Sequence, residues 1–546
     1  MNIVHVAPAP VSEHALTATV RTRDGVELAT DVYLPEGALT EPGPTILVRL
    51  PYDKAAGSAF PMAEYARYMT ERGYRVVLQD VRGKFRSGGA SVLFVHEVND
   101  GFDTIDWVIN QSWSNGKVGM SGNSYYGYTQ WAAVSSRHPA LRAIAPRVTG
   151  TMLGEPPREL APGVREVEQS IILRYPLTFF HSADSYFWDM DWSERPWTDQ
   201  IERFFDEVGG RSVSFDLFYP HPARLQRFPD GSPFEAPAIP VLLTIGWWDN
   251  CAPWSWEDRR ALQQRSSWSA NEYLRIEAID HYNFVFDHPD RSIEPTPVQM
   301  RERLSRALDP TLDFFDVFLR NGAPPTSIPR VTWDLVNGER RTEAQWPPAS
   351  ATTRTLYCTA DGVLAEAPNA EESRVTWVHD PLHPVPSAAG DPFRYLLDQP
   401  DERELLERDD VVVWRGPAFT DDFVLAGPVS FSAAVQSDGP VMDVIVRLYD
   451  LAPGGAATLI TRGQVSVETA ALRHVEVDML HAGYLVRPGH RLAVSVCSTD
   501  APDFVPQPGT GEDPWTATTF ASNTQTLVLS GDSGILTVTI GESTWK

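Results

Sequence analysis

Cysteine is nearly missing from this chain: Cys251, Cys358 and Cys497 are the three in 546 residues. They lie far apart and show no Cys-x-x-Cys spacing, so no disulfide framework and no metal site is expected. A run of about 18 apolar residues is also lacking, which excludes a helical membrane span. The opening residues, Met1 to Pro8, carry no basic stretch followed by a long apolar one, so no signal peptide is expected. A reduced, cytoplasmic protein is the expectation. Positive charge is scarce: 46 Lys and Arg stand against 72 Asp and Glu, a net charge of −26. Such a surface repels phosphates, so nucleic acid is excluded as a partner and the acidity is read as solubilising. No internal repeat or low-complexity tract is found, and the acidic run from Asp398 to Asp410 reads as a solvated loop.

What is present is the composition of a folded protein, 42% apolar and 22% charged. The length exceeds what one core organises, so two or three domains are expected. Thr17 to Val20 and Val26 to Tyr33 flank an Asp24-Gly25 turn and read as a hairpin. Apolar strands follow at Ile46 to Leu50, Tyr74 to Leu78 and Leu141 to Ala145, with a helix over Asp103 to Asn110. Strands alternating with helices predict a mostly parallel sheet covered on both faces. From 149 to 236 strand signals fade and large aromatics rise, with helical spacing over Glu166 to Phe180 and Ile201 to Val208. This segment reads as an inserted helical cap. The α/β pattern resumes at Val241 to Ile245 and Tyr273 to Ile279, then a helix from Val298 to Leu319. Beyond 322, β-branched segments separated by turns such as Pro453-Gly454-Gly455 predict an all-β sandwich of jelly-roll type. The expected plan is therefore an α/β-hydrolase domain (1–148 and 237–322), a cap (149–236) and a jelly roll (323–546).

The chemistry-bearing feature is Val118-Gly119-Met120-Ser121-Gly122-Asn123-Ser124-Tyr125-Tyr126-Gly127. An apolar strand runs into a sharp turn tipped by a serine, and a helix follows: the form of a nucleophile elbow. The second glycine falls one residue later than in the usual Gly-x-Ser-x-Gly. A serine nucleophile needs a base, and the base an orienting carboxylate. In α/β-hydrolases these follow in the order Ser, acid, His at successive strand ends. Here one strand ends in Gly246-Trp247-Trp248-Asp249 and the next in Asp280-His281. Ser124, Asp249 and His281 thus form the candidate triad, with Asp280 an alternative orienter and His288 a competing histidine. The Tyr125 amide and the Tyr52 hydroxyl are candidate donors for the oxyanion. Tyr126, Trp247, Trp248, Trp254 and Phe284 are candidates for a hydrophobic acyl pocket.

Together these residues resemble the cocaine esterase and X-Pro dipeptidyl-peptidase family of serine hydrolases. The resemblance spans nearly the whole chain: Arg49-Leu50-Pro51-Tyr52-Asp53-Lys54, Gln79-Asp80-Val81-Arg82-Gly83, Trp113-Ser114-Asn115-Gly116-Lys117-Val118-Gly119-Met120, Gly122-Asn123-Ser124-Tyr125-Tyr126-Gly127 and Gly246-Trp247-Trp248-Asp249. Ile279-Asp280-His281 departs from the Trp or Arg and small residue that usually precede the family's histidine. The resemblance implies the three-part architecture. It further implies Ser124 as nucleophile, His281 as base, Asp249 as orienting acid, and Tyr52 with the Tyr125 amide as oxyanion hole. No cofactor or metal is expected. The expected substrate is a small hydrophobic or aromatic ester or amide, cleaved through an acyl-enzyme. An α-amino acid ester hydrolase or β-lactam acylase is the alternative, its ammonium site formed by Asp189, Asp191 and Glu194. An X-Pro dipeptidyl peptidase is less favoured because the chain is short for that group. A non-catalytic binding protein, using the jelly roll, is the reading from a different class. A large sandwich packed on two other domains can support a homodimer.

Overall fold

The computed structural model describes residues 2–38, 41–57, 59–220, 225–320, 322–369, 371–469 and 471–542. A ten-stranded sheet carries the N-terminal part. Its strands are β1 (Leu16–Arg21), β2 (Glu27–Tyr33), β3 (Gly43–Leu50), β4 (Arg75–Asp80), β5 (Ser114–Asn123), β6 (Leu141–Arg147), β7 (Val241–Gly246), β8 (Glu272–Glu277), β9 (Val331–Asp334) and β10 (Arg340–Glu343). Across the sheet they run β10-β9-β8-β7-β6-β5-β3-β4-β2-β1. Pairing is parallel from β4 through β9 and antiparallel at both edges. β3, β4, β7 and β8 are buried at every position, as strands covered on both faces must be.

The covering helices include α1 (Met62–Glu71), α2 (Glu97–Ile109) and α3 (Ser124–Ser135), the last buried along its whole length. α2 starts well before the expected Asp103. Its first turn buries Glu97 and Asp100 against Arg49 and Arg82, and such paired charges inside the core conceal an apolar period. Between β6 and β7 the chain leaves the sheet and forms α4 (Ile171–Thr178), α5 (Trp197–Val208) and α6 (Val213–Phe218). This segment is not wholly helical. Ser185–Trp188 pairs with Ile3–Val6, and Val164–Arg165 pairs with the strand Ala457–Glu468. The helix expected over 166–180 is confined to α4, because Glu166 and Gln169 spend backbone groups on Arg158 and Phe504 instead. After β7 come α7 (Ala252–Gln263) and α8 (Pro297–Phe318), the latter begun by a capping box between Thr296 and Gln299.

The C-terminal region is mostly sheet. Phe423–Ser437 pairs with Arg473–Val486, Asn523–Leu529 and Ile535–Ile540, while Val441–Leu451 pairs with Ala457–Glu468 and Arg491–Cys497 in a second sheet. One boundary differs from expectation. β9 and β10 lie beyond 322 but extend the ten-stranded sheet, with Val331 beside Leu274 in parallel register. A continuous apolar cluster then joins Val118 and Leu243 through Trp247 and Trp333 to Tyr484 and Val486. The approach is so close that a Cβ on Gly483 would strike the Trp247 ring.

A buried carboxylate at the end of β8 ties this edge together. Glu277 meets Arg147 of β6 and Arg275 of β8, with Arg340 at 3.4 Å and Arg306 at 4.0 Å. Burial alone would raise its pKa, but Arg147, then Arg275, Arg306 and Arg340, outweigh that and hold it far below the ordinary 4.5. Glu277→Gln is therefore expected to destabilise the protein by about 3–5 kcal/mol, since the arginines lose their counter-charge. The glutamate's contribution is full above pH 4.5 and fades as pH falls toward the depressed folded value. Calorimetry at neutral pH should show the loss, and the gap between variant and wild type should narrow in acid. A gap that widens in acid would contradict this.

Candidate active site

Ser124 stands where β5 turns into α3, with its backbone in the left-handed region at φ 53°. A non-glycine residue there is strained and persists only when its surroundings over-determine it. They do. The Ser124 N–H donates to the Val148 carbonyl (3.2 Å), and its carbonyl accepts from Thr149 Oγ1 (2.6 Å). A Cβ on Gly122 would collide with the Tyr126 ring, and one on Gly127 would run into Thr149 Cβ at 2.7 Å. This crowding explains the two glycines that bound the six-residue segment. The turn also starts α3 at Ser124, so the Tyr125 amide lies in the first turn, where N–H groups have no intrahelical acceptor.

Tyr52 reaches the serine from the loop after β3. Its hydroxyl lies 3.5 Å from Ser124 Oγ and 2.9 Å from the Tyr175 hydroxyl. The loop is pinned by charge. Lys54 pairs with buried Asp31 at 2.7 Å, its amide donates to Asp80 at 2.7 Å, and Asp53 accepts from Arg86 at 3.0 Å. Burial is the main cause lifting the Asp80 carboxyl to about 7. The Tyr125 side chain faces away from the serine. Its hydroxyl donates to Glu97 (3.0 Å) and accepts from the Phe94 amide (2.9 Å), so only its backbone is placed to serve the site.

Asp249 and His281 meet because the loops after β7 and β8 are zipped together. The Trp247 and Trp248 amides donate to the carbonyls of Glu277 and Ile279. His281 Nδ1 then sits 2.7 Å from Asp249 Oδ1. An ionised carboxylate only accepts, so Nδ1 carries the proton and Nε2 keeps its lone pair for a base's work. Asn283 steadies the loop, accepting from Arg147 at 2.9 Å and donating to the His281 carbonyl at 3.3 Å. Asp280 is not the orienter. Its carboxylate accepts from the amides of Phe284 and Leu396, both at 2.9 Å, and burial first of all lifts it to about 8. His288 is half-buried in another cavity, with Nδ1 bound to the Asp290 carbonyl.

The pocket candidates separate. Trp254 lines a narrow apolar slot with Leu93, Phe94, Ile172, Tyr175, Cys251 and Phe393, holding about 10 Å³ of free space. Its walls reach the triad twice, through the Tyr175 hydroxyl 3.3 Å from Ser124 Oγ and the Phe393 ring 4.9 Å from that of His281. The Trp247 indole N–H donates to the Asp334 carbonyl at the end of β9, and that of Trp248 to the Leu459 carbonyl in the second C-terminal sheet. Both tryptophans line a cleft of about 640 Å³ that meets the slot at Ile171, Asn250 and Trp254. Tyr126 lies beneath the elbow, edge-on to Tyr52 at 6.1 Å. Phe284 belongs elsewhere, under the Arg303 guanidinium at 4.7 Å in another cavity. Tyr175 and Phe393 are the site residues sequence reasoning missed; their segments carry no local signal that points at the serine. Asp189, Asp191 and Glu194 are exposed, Glu194 being paired with Arg203, and none lines the slot. Among the described residues, Asp249, Cys251 and His281 bring donor atoms within 4.8 Å of one another. The first and last already engage each other, and burial, then the Asp249 charge, keeps the Cys251 thiol protonated. That set fits a hydrogen-bonded pair better than a cation.

The chain is similar to several known proteins. The sequence profile described as X-Pro dipeptidyl-peptidase (S15 family) matches residues 24–155, and that of the X-Pro dipeptidyl-peptidase C-terminal non-catalytic domain matches 321–533. A cocaine esterase of Rhodococcus sp. (strain MB1 Bresler) is 29% identical over 91% of this chain and 92% of its own. In fold the chain is similar to an α-amino acid ester hydrolase, with TM-score 0.81, 22% identity and 98% of each chain covered. It is also similar to an aminopeptidase from the marine sediment archaeon Thaumarchaeota archaeon, with TM-score 0.79, 21% identity and 97% and 98% covered.

Gly122, at φ 152°, is the most exacting position of the elbow. Gly122→Ala should cost about 1–3 kcal/mol of strain and slow labelling of Ser124 by a fluorophosphonate. Labelling at the wild-type rate would mean that the turn relaxes without moving the serine.

Proposed function

Because this chain belongs to the cocaine esterase and X-Pro dipeptidyl-peptidase family of serine hydrolases, we propose that it hydrolyses esters, and secondarily amides, of small uncharged hydrophobic or aromatic acids through an acyl-enzyme. The observation that carries the substrate class is the lining beside the nucleophile: eleven residues, none of them charged, with Tyr175 and Phe393 against Ser124 and His281. About 10 Å³ is free as it stands, so that an acyl group enters from the adjoining cleft of about 640 Å³ only as these side chains part. Burying a charged acyl group there without a partner would cost several kcal/mol. An α-amino ester would bring such a charge.

In this reading Ser124 Oγ attacks the acyl carbon while His281 Nε2 takes its proton. Asp249 holds the imidazole in the productive tautomer and offsets the imidazolium charge. The oxyanion is received by the Tyr52 hydroxyl and the Tyr125 amide. Burial first, and then Tyr175, raises the Tyr52 pKa well above its ordinary value, so the hydroxyl stays a donor. The imidazolium returns its proton to the leaving oxygen or nitrogen, and water, deprotonated by His281, releases the acid. The cleft beside Asn250 and Trp254 is the natural path for substrate and leaving group.

We read the framework as an α/β-hydrolase domain interrupted by a cap and followed by a jelly roll. The order Ser, Asp, His after β5, β7 and β8 supports this. Three free buried cysteines fit a reducing, cytoplasmic setting. Among the described residues, no helix is long and apolar enough to cross a membrane.

A panel of p-nitrophenyl esters tests the proposal. Benzoyl and short acyl esters should turn over faster than α-aminoacyl ones, and Ser124→Ala should lower kcat by about 10⁴-fold or more. Preference for the α-aminoacyl esters would sink the uncharged slot as the acyl site. Turnover surviving in Ser124→Ala would place the nucleophile elsewhere.

A further inference from the structure

Three hydroxyls meet at the serine, and only two have an assigned task. The Tyr175 oxygen lies 2.9 Å from that of Tyr52 and 3.3 Å from Ser124 Oγ, while Tyr52 and Ser124 are 3.5 Å apart. The first distance is that of a formed O–H···O bond, and the other two are longer than such bonds run. All three side chains are buried, at 7%, 8% and 4% exposure for Tyr52, Tyr175 and Ser124. Their mutual arrangement therefore decides where the protons point.

We propose that Tyr175 is a positioning residue for the oxyanion donor: its hydroxyl donates to Tyr52 Oη and so aims the Tyr52 proton at the reacting carbonyl. This deepens the reading of Ser124 as nucleophile and Tyr52 as oxyanion donor, and rests on it. The direction follows from counting protons. Each phenol has one. If Tyr52 donated along the 2.9 Å contact, its proton would be spent on Tyr175 and missing from the oxyanion. When Tyr175 is the donor, the Tyr52 oxygen is satisfied as acceptor and its proton is left for substrate. No proton changes owner: Tyr52 and Tyr175 both remain phenols through acylation and deacylation.

The surroundings leave this as the main freedom to be fixed. Phe179 stands edge-on to the Tyr52 ring at 5.1 Å, as Tyr126 does on another side, so the ring is held and only the C–O torsion remains. Tyr175 is itself anchored, its carbonyl accepting from the amides of Phe179 and Phe180 at 3.0 and 3.1 Å. Burial is the leading cause raising both phenols above their ordinary pKa, which keeps each a donor across the neutral range. A hydroxyl that accepts one hydrogen bond also donates a stronger one. The segment between β6 and β7 thereby contributes to transition-state binding as well as to the pocket wall.

A double-mutant cycle on kcat and KM for p-nitrophenyl butyrate tests this, with Tyr175→Phe, Tyr52→Phe and the pair. Tyr175→Phe keeps the ring and should lower kcat about tenfold, less than loss of the oxyanion donor itself, with KM within about twofold. In the Tyr52→Phe background the same change should alter kcat by less than about twofold, because the group it acts through is gone. Three results would overturn the proposal: wild-type kcat in Tyr175→Phe, a raised KM with kcat intact, or an equal loss in both backgrounds. Fluorophosphonate labelling separates the two layers. Wild-type protein that fails to label would remove the Ser124 reading and this one with it. Labelling that persists beside an uncoupled Tyr175 would remove the positioning role alone.

Discussion

The left-handed backbone at Ser124 is the constraint on which the site turns. An L-residue is held at φ 53° only if its neighbours leave no other course. Gly122 admits the Tyr126 ring, Gly127 admits Thr149, and Thr149 in turn bonds the serine's own carbonyl. The Val148 carbonyl that receives the Ser124 amide belongs to a residue likewise at positive φ, 43°. Two strained turns at the ends of adjacent parallel strands thus brace each other. The sheet register that sets Asn123 beside Arg147 is what lets them meet.

Around this point the protein alternates layers of opposite character. The slot is apolar, yet the loops that shape it are tied from behind by buried ions: Lys54 to Asp31, Arg49 to Glu97, Arg147 to Glu277. Glu97 also fixes the Tyr125 side chain, and Arg147 reaches Asn283 beneath His281. The Tyr52 loop, the serine turn and the His281 loop therefore each have a buried charged anchor. Such pairs add little net stability, because desolvation consumes most of their attraction. Their value is directional, since an unpaired charge in this interior would be costly in every arrangement but one.

Residues whose placement follows from their own neighbours were legible in the sequence. Ser124, Asp249 and His281 each end an apolar strand, and local periodicity reveals a strand end. Tyr52 was legible for the same reason, two residues past the end of β3 and directly before Asp53 and Lys54. The slot was not, because Leu93, Phe94, Tyr175 and Phe393 come from segments that share no pattern and meet only in three dimensions. Trp247 and Trp248 neighbour Asp249 in the chain and line the wide cleft with it, outside the narrow slot, their indole N–H groups tied to the Asp334 and Leu459 carbonyls. The edge strands β9 and β10 escaped as well. Each has four residues, and they join the first sheet through a parallel pairing of β9 with β8 that no local signal encodes, with β10 then antiparallel to β9.

Phe393 has a bearing on the order of events during biosynthesis. It closes the slot beside His281 from a segment whose Leu396 amide donates to Asp280 across 116 residues of chain. A ribosome-bound chain could shape the serine turn and even join Asp249 to His281 while the acyl slot still lacked a wall. Long-range pairings such as these also form late in folding. The wall of the slot is thus completed only after the serine turn and the Asp249–His281 pair have been made.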